Sequence, residues 1–186
     1  GVIGFSFFAV SAASASETPI TALAAGSYPT QANPNSCAAG QKILLNATGA
    51  AANTADRTIA NLKIASAVAV TVDLGAVNTL TLNDGSDSTG GILRNQNVAT
   101  TFNNGFITAG VANDATADTL YVWNGANTMT MGSIIKNNGA DPLAVVFTGN
   151  GSGSASTGVL ALNSANTFTG GLVINAGTVN LGSAGV

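Results

Sequence analysis

The segment NTFTGGLVINAGTVNLG (residues 166–182) holds two short apolar runs, LVIN and TVNL, separated by Ala-Gly, framed by glycine, and free of charged side chains. Runs of four or five residues are too short for stable helices. Glycine costs about 1 kcal/mol in a helix interior and supplies the positive-φ conformations that let a chain turn sharply. Gly170, Gly171 and Gly177 are therefore read as turning points. Val173, Val179 and Leu181 are candidates for an inner face, and Asn166 and Asn175 for capping the corners. A unit of this kind exposes its apolar face unless another copy lies against it. It reads as one coil of a stacked tube.

The same rhythm extends back to KILLNATG at 42–49. It passes through RTIANLKIAS, AVAVTVDLG, NTLTLNDG, GGILRNQ, NGFITAG, DTLYVWNG, NTMTMGSII, PLAVVFTG and GVLALNS. Several runs alternate with period two, which gives a strand one apolar face, and this predicts burial of Val70, Val72, Leu80, Leu82, Leu160, Leu162, Val179 and Leu181. Asn-Asp-Gly, Asn-Asn-Gly, Asn-Gly and Gly-Gly punctuate the runs and end strands abruptly. Short strands with frequent turns are also compatible with a sandwich or a barrel. Three features favour a solenoid. No pair of long hairpin strands stands out. The units VTV, LTL, MTM and VNL recur, so stacking would align Thr and Asn in rows. Charge is scarce, and like charges stacked about 4.8 Å apart would repel.

Composition narrows the class. Of 186 residues, 46% are apolar and only 7% charged, with no His and one Cys. Ordinary soluble domains carry roughly 25% charged residues. Polarity here comes from Asn, Thr and Ser, which suit strand faces and turns, so the chain reads as all-β. Five basic residues against eight acidic ones, net charge −3, leave no clustered cations for a phosphate backbone, which argues against nucleic acid. No apolar run approaches the roughly 20 residues of a membrane helix. Cys37 reads as a loop thiol, because no His exists to activate it.

Residues 1–40 are the irregular part, punctuated by Pro19, Pro29 and Pro34, and residues 41–186 form the solenoid. The opening GVIGFSFFAVSAASASETP has two readings: a strand followed by a small-residue linker, or the tail of a secretory signal ending at Ala13-Ser14-Ala15. The absence of an initial Met, and a last residue just beyond a strand-like unit, suggest a piece of a longer protein.

Over residues 145–182, VVFTGNGSGSASTGVLALNSANTFTGGLVINAGTVNLG resembles the autotransporter-associated β-strand repeat of bacterial passenger domains. SANTFTGG and INAGTVNLG carry the likeness most closely. Phe147 stands where a lysine is common, the turn is lengthened to GNGSGSAS, and Leu172 replaces the usual Thr. The resemblance implies a right-handed parallel β-helix, exported and exposed at the cell surface or secreted, within a longer passenger often carried by an outer-membrane barrel. No such barrel is present here.

Catalytic chemistry is sparsely represented. Asp84 with Asp87, and Asp114 with Asp118, are the carboxylate pairs close enough in sequence for acid–base work. Asp in Gly/Ser-rich loops is ordinarily a turn former, and neither loop has the spacing of a known calcium motif. Without His, and with a single Cys, no zinc set can be assembled, so no metal or cofactor is expected. Tyr121 and Trp123 fall on one side of DTLYVWNG; paired rings can stack on sugars or pack against a coil edge. NAT at Asn46 and NGS at Asn150 match the glycosylation pattern by chance in so Asn-rich a chain.

The expectation is a non-catalytic stalk or adhesin scaffold whose partners are extracellular glycans or proteins. Its isolated last coil is expected to self-associate end to end. A carbohydrate-binding module at Tyr121 and Trp123 is the alternative, and a polysaccharide-degrading β-helix a more distant one.

Overall fold

The computed structural model describes residues 9–10, 21–22, 30–31, 38–45, 53–83, 88–149 and 158–182. These residues form strands, turns and bends, and no helix occurs among them. Strands numbered in chain order make three walls. The seven-stranded wall holds β3 (Thr30–Gln31), β4 (Lys42–Leu45), β6 (Asn61–Ile64), β9 (Thr89–Arg94), β12 (Asp118–Asn124), β15 (Leu143–Gly149) and β17 (Leu172–Ala176). The five-stranded wall holds β7 (Val70–Asp73), β10 (Thr100–Asn103), β13 (Thr128–Met131), β16 (Val159–Leu162) and β18 (Thr178–Leu181). The four-stranded wall holds β5 (Arg57–Ile59), β8 (Thr79–Leu82), β11 (Phe106–Ala109) and β14 (Ile134–Ile135).

From β6 to β16 the chain visits the walls in a fixed order, seven- to five- to four-stranded, and strands of successive circuits pair in parallel. Gly91 thus lies between Asn61 and Tyr121, each thirty positions away. From β6 to β17 the chain completes about four turns of a β-solenoid. Parallel pairing in all three walls excludes the hairpin sandwich. The antiparallel pair β1 (Ala9–Val10) with β2 (Thr21–Ala22) lies outside these walls, whereas Thr30–Gln31 already pairs with Leu44–Leu45.

Alternation produces the core. On the five-stranded wall one inward column runs Val72, Phe102, Met131, Leu162, Leu181, and its neighbour runs Val70, Thr100, Met129, Leu160, Val179. Leu62, Ile92, Val122, Phe147 and Ile174 make the equivalent column on the seven-stranded wall. Between columns the residues of opposite parity form rows: Thr71, Thr101 and Thr130 lie in register, as do Thr58, Thr81 and the buried Thr108. Corner amides tie one coil to the next. Asn83 Nδ2 donates to the Gly110 carbonyl (2.9 Å) and Asn138 Nδ2 to that of Ala109 (3.0 Å). Asn137 Oδ1 accepts from the N–H groups of Leu143 (3.0 Å) and Thr169 (2.9 Å).

Val70, Val72, Leu80, Leu82, Leu160 and Leu162 are buried as expected. The last coil differs. Leu181 occupies an inward column but is 54% exposed, and Val179 is only partly buried, because no described strand lies beyond them. Val173 does not face inward. It pairs with Val146 on the outer face and is 51% exposed, while Ile174 stacks on Phe147. Asn166 does cap its corner, accepting from Ile135 N–H (2.9 Å) and donating to the Ser164 carbonyl (2.8 Å). Asn175 instead reaches along the wall to Thr148 Oγ1 (3.3 Å). Gly177 turns at φ +87°, as its place between two strands requires.

Candidate functional site

Tyr121 and Trp123 are the sequence's candidate ligand-binding residues, and β12 places both on the outer face of the seven-stranded wall. Parity decides this: Asp118, Leu120, Val122 and Asn124 point inward, so Thr119, Tyr121 and Trp123 point out. The two rings are half-buried. Gly91 and Val146 flank Tyr121 in register, and Leu93 and Thr148 flank Trp123. The indole lies down over Gly125, where an added Cβ would sit 2.8 Å from its Cη2 atom. Trp123 is thus folded along the wall. The arrangement offers a shallow aromatic strip that can cover the apolar face of a planar or pyranose ligand.

The carboxylate candidates separate. Asp84 and Asp87 lie outside the described residues. Asp114 is an exposed turn former whose Oδ1 accepts from Thr116 N–H (2.8 Å). Asp118 opens β12 on its inward face and is wholly buried against Gly110, where any side chain would collide with its carboxylate. Neither of its oxygens finds a hydrogen-bond partner among the described residues. Burial, and then the charges of Asp114 and Asp141, push its pKa up to about 6. Asp141 has better company: its carboxylate accepts from the N–H groups of Asp114 (3.0 Å) and Ala115 (3.2 Å) in a turn with Asn113 and Ala115 at positive φ. Asp114 and Asp118 therefore do not present two carboxylates to one substrate. Among the described residues no three His, Cys, Asp or Glu side chains converge to hold a metal ion. Nor is any helix of the described residues long and apolar enough to cross a membrane.

Sequence reasoning missed a buried arginine. Arg94 ends β9 in an inward column between Ile64 and Asn124 and has no exposed surface. Its Nη1 donates to Asn124 Oδ1 (2.9 Å) and to the Ala126 carbonyl. Asn124 Nδ2 in turn donates to the carbonyls of Asn127 (3.0 Å) and Val159 (2.9 Å). Nε and Nη2 find no partner among the described residues, and burial lowers the arginine's pKa. The relay ties three consecutive coils at one corner. The available signal was parity, since Arg94 shares a face with Ile92 in GGILRNQ.

A second feature lies at the corner between the five- and four-stranded walls. There a cleft of about 280 Å³ is lined by Asn104, Gly105, Phe106, Gly132, Ile134 and Asn163, among others. Lys136 Nζ sits 4.4 Å from the centroid of the Phe106 ring. Comparison with protein-family models, curated proteins and solved structures finds no match to this chain.

Proposed function

We propose that this chain is a non-catalytic structural segment of a bacterial surface-exposed or secreted passenger, serving as a stalk or adhesin scaffold. The observation that carries this reading is the continuity of the inward columns. Apolar side chains run from coil to coil, while the five-stranded wall carries the uncharged outward row Thr71, Thr101 and Thr130. Such a tube derives its stability from stacking and can be lengthened without new architecture. The passenger-like residues 145–182 support export, and the isolation of Asp118 from solvent supports a role without acid–base chemistry. The open last coil, with Ile174 and Leu181 uncovered, supports end-to-end association of the isolated chain.

Antibodies raised against the chain, applied to intact and to permeabilised cells of its source bacterium, test the reading. Labelling of intact cells, abolished by external protease, or recovery of the antigen from the medium is the expected result. Antigen found only after permeabilisation refutes it. Carbohydrate binding along Tyr121 and Trp123 is the second reading, favoured by two half-exposed rings on one outer strand face. Loss of glycan binding on Trp123→Ala is its test.

A further inference from the structure

We propose that the corner cleft is a binding site for an uncharged sugar, distinct from the aromatic strip on the seven-stranded wall and additional to the scaffold role. Its volume of about 280 Å³ lies just below the roughly 300–1,000 Å³ of small-molecule sites, which suits a single pyranose ring. Four coils contribute to it in turn: Ala76, then Asn104 to Phe106, then Gly132 and Ile134, then Asn163. Coils repeat at about 4.8 Å, so the cleft runs along the tube axis, open on one side to solvent.

The lining selects the ligand class. It contains no charged side chain, and neither Asp73 nor Lys136, both close by, is among its lining residues. Asp73 Oδ1 accepts from Gly75 N–H (2.8 Å) and from Asn104 Nδ2 (3.0 Å), while the Lys136 ammonium caps the Phe106 ring. An anion would find no cation inside, and a cation no carboxylate. Ala76, Phe106 and Ile134 instead supply apolar surface for the C–H face of a sugar ring. Asn104, a lining residue tethered through Nδ2 to Asp73, keeps Oδ1 as an acceptor for a hydroxyl. Asn163, exposed at the other end, offers both a donor and an acceptor, the complement of a sugar hydroxyl.

The floor is built before any ligand arrives. Asn104 and Gly105 both adopt left-handed backbone, at φ 57° and 54°. A Cβ on Gly105 would meet the Asn78 and Gly75 carbonyl oxygens at 2.5 and 2.6 Å, and one on Gly132 the Phe102 carbonyl oxygen at 2.9 Å. The preceding coil's backbone lies directly beneath, leaving little to be ordered on binding.

The test is a titration of the ¹⁵N-labelled whole chain with cellobiose, maltose and N,N′-diacetylchitobiose, and with digalacturonate as the anionic probe. At least one neutral disaccharide is expected to shift the Gly105, Phe106 and Gly132 amides saturably, in the millimolar range, while digalacturonate leaves them in place. Asn163→Ala, which removes no hydrogen bond described in the fold, should weaken binding about tenfold, and Ala165→Trp, which fills the cleft, should abolish it. The proposal is overturned if no neutral disaccharide shifts these amides, if the shifts centre on Tyr121 and Trp123, if digalacturonate binds equally well, or if both cleft variants bind like the parent. The spectra report folding of each variant directly, and the scaffold reading stands or falls separately on the cell-labelling result.

Discussion

Leu162 and Leu181 occupy the same column on consecutive coils, in the similar settings VLAL and TVNL, yet one is 1% exposed and the other 54%. The Phe147–Ile174 pair on the seven-stranded wall repeats the contrast, with Phe147 sealed and Ile174 half open. Burial in this molecule is conferred by the next coil and not by a residue's own chemistry or strand. The same closure that shelters Leu162 denies water to Asp118 and Arg94, so interior coils carry both the largest stabilising and the largest destabilising terms.

The sharpest test is truncation at matched positions. Leu162→Ala should cost roughly 2–5 kcal/mol, since a cavity remains beneath the following coil. Leu181→Ala should cost about 1 kcal/mol, because half its surface already meets water. Denaturant melts of both variants check this, and equal losses would break the contrast.

Next in size is the charge trapped by coil closure. The Asp118 carboxyl titrates at about 6 in the fold against 3.8 when free, so the folded state holds its proton more tightly. Its contribution is intact below about pH 4, is lost as pH rises through about 6, and stays lost above. At about 1.36 kcal/mol per unit, the loss reaches about 3 kcal/mol. Asp118→Asn should therefore be more stable than the parent at pH 7–8 by up to that amount. The difference between the two should shrink steadily from pH 6 to pH 4. A parent–variant difference that does not change with pH would show that Asp118 is not held from water.

The smallest effect on stability is expected at the open coil. Val179→Lys with Leu181→Lys should change the melt by about 1 kcal/mol or less, as both sites are partly or largely exposed. Its effect on association should be large. An uncovered edge strand pairs with another chain unless charge blocks it, so the parent should sediment as concentration-dependent oligomers and the double variant as a monomer. A parent that stays monomeric at high concentration would show that the exposed columns do not stack.

Much of the fold was legible because alternation sets strand parity. Val70–Thr71–Val72–Asp73 and Leu80–Thr81–Leu82 place their apolar members inward without further information. Parity fails in Leu172–Val173–Ile174, where three apolar residues run together and either phase is chemically acceptable. The register with Val145 and Val146 decides it, and that register itself slips between Phe147 and Thr148, an irregularity that no local pattern marks. Asp118 was read as a turn former, and burial of Arg94 and Asn124 was missed, for the opposite reason. Their chemistry argued for solvent while their parity argued for the core, and the partner that reconciles Arg94 with burial, Asn124, lies thirty positions away. The corner cleft was invisible because its walls come from four coils that only the completed stack brings together.

The register also sets how the tube comes apart. Strand partners in the three walls lie between 14 positions apart, as in Thr30 with Leu44, and 31 positions apart, as in Met129 with Leu160. Among the described residues no wall pairing spans more than about one circuit, so each coil needs only its predecessor as a template, and the stack behaves as a one-dimensional lattice. Disorder entering at the uncovered coil would move inward one rung at a time, each rung meeting the same local resistance until it reaches the corner where Arg94 and Asn124 bind three rungs together. Amide exchange should therefore form a gradient, fastest in β17 and β18 and slowest around β9 and β12, with a step where that relay begins.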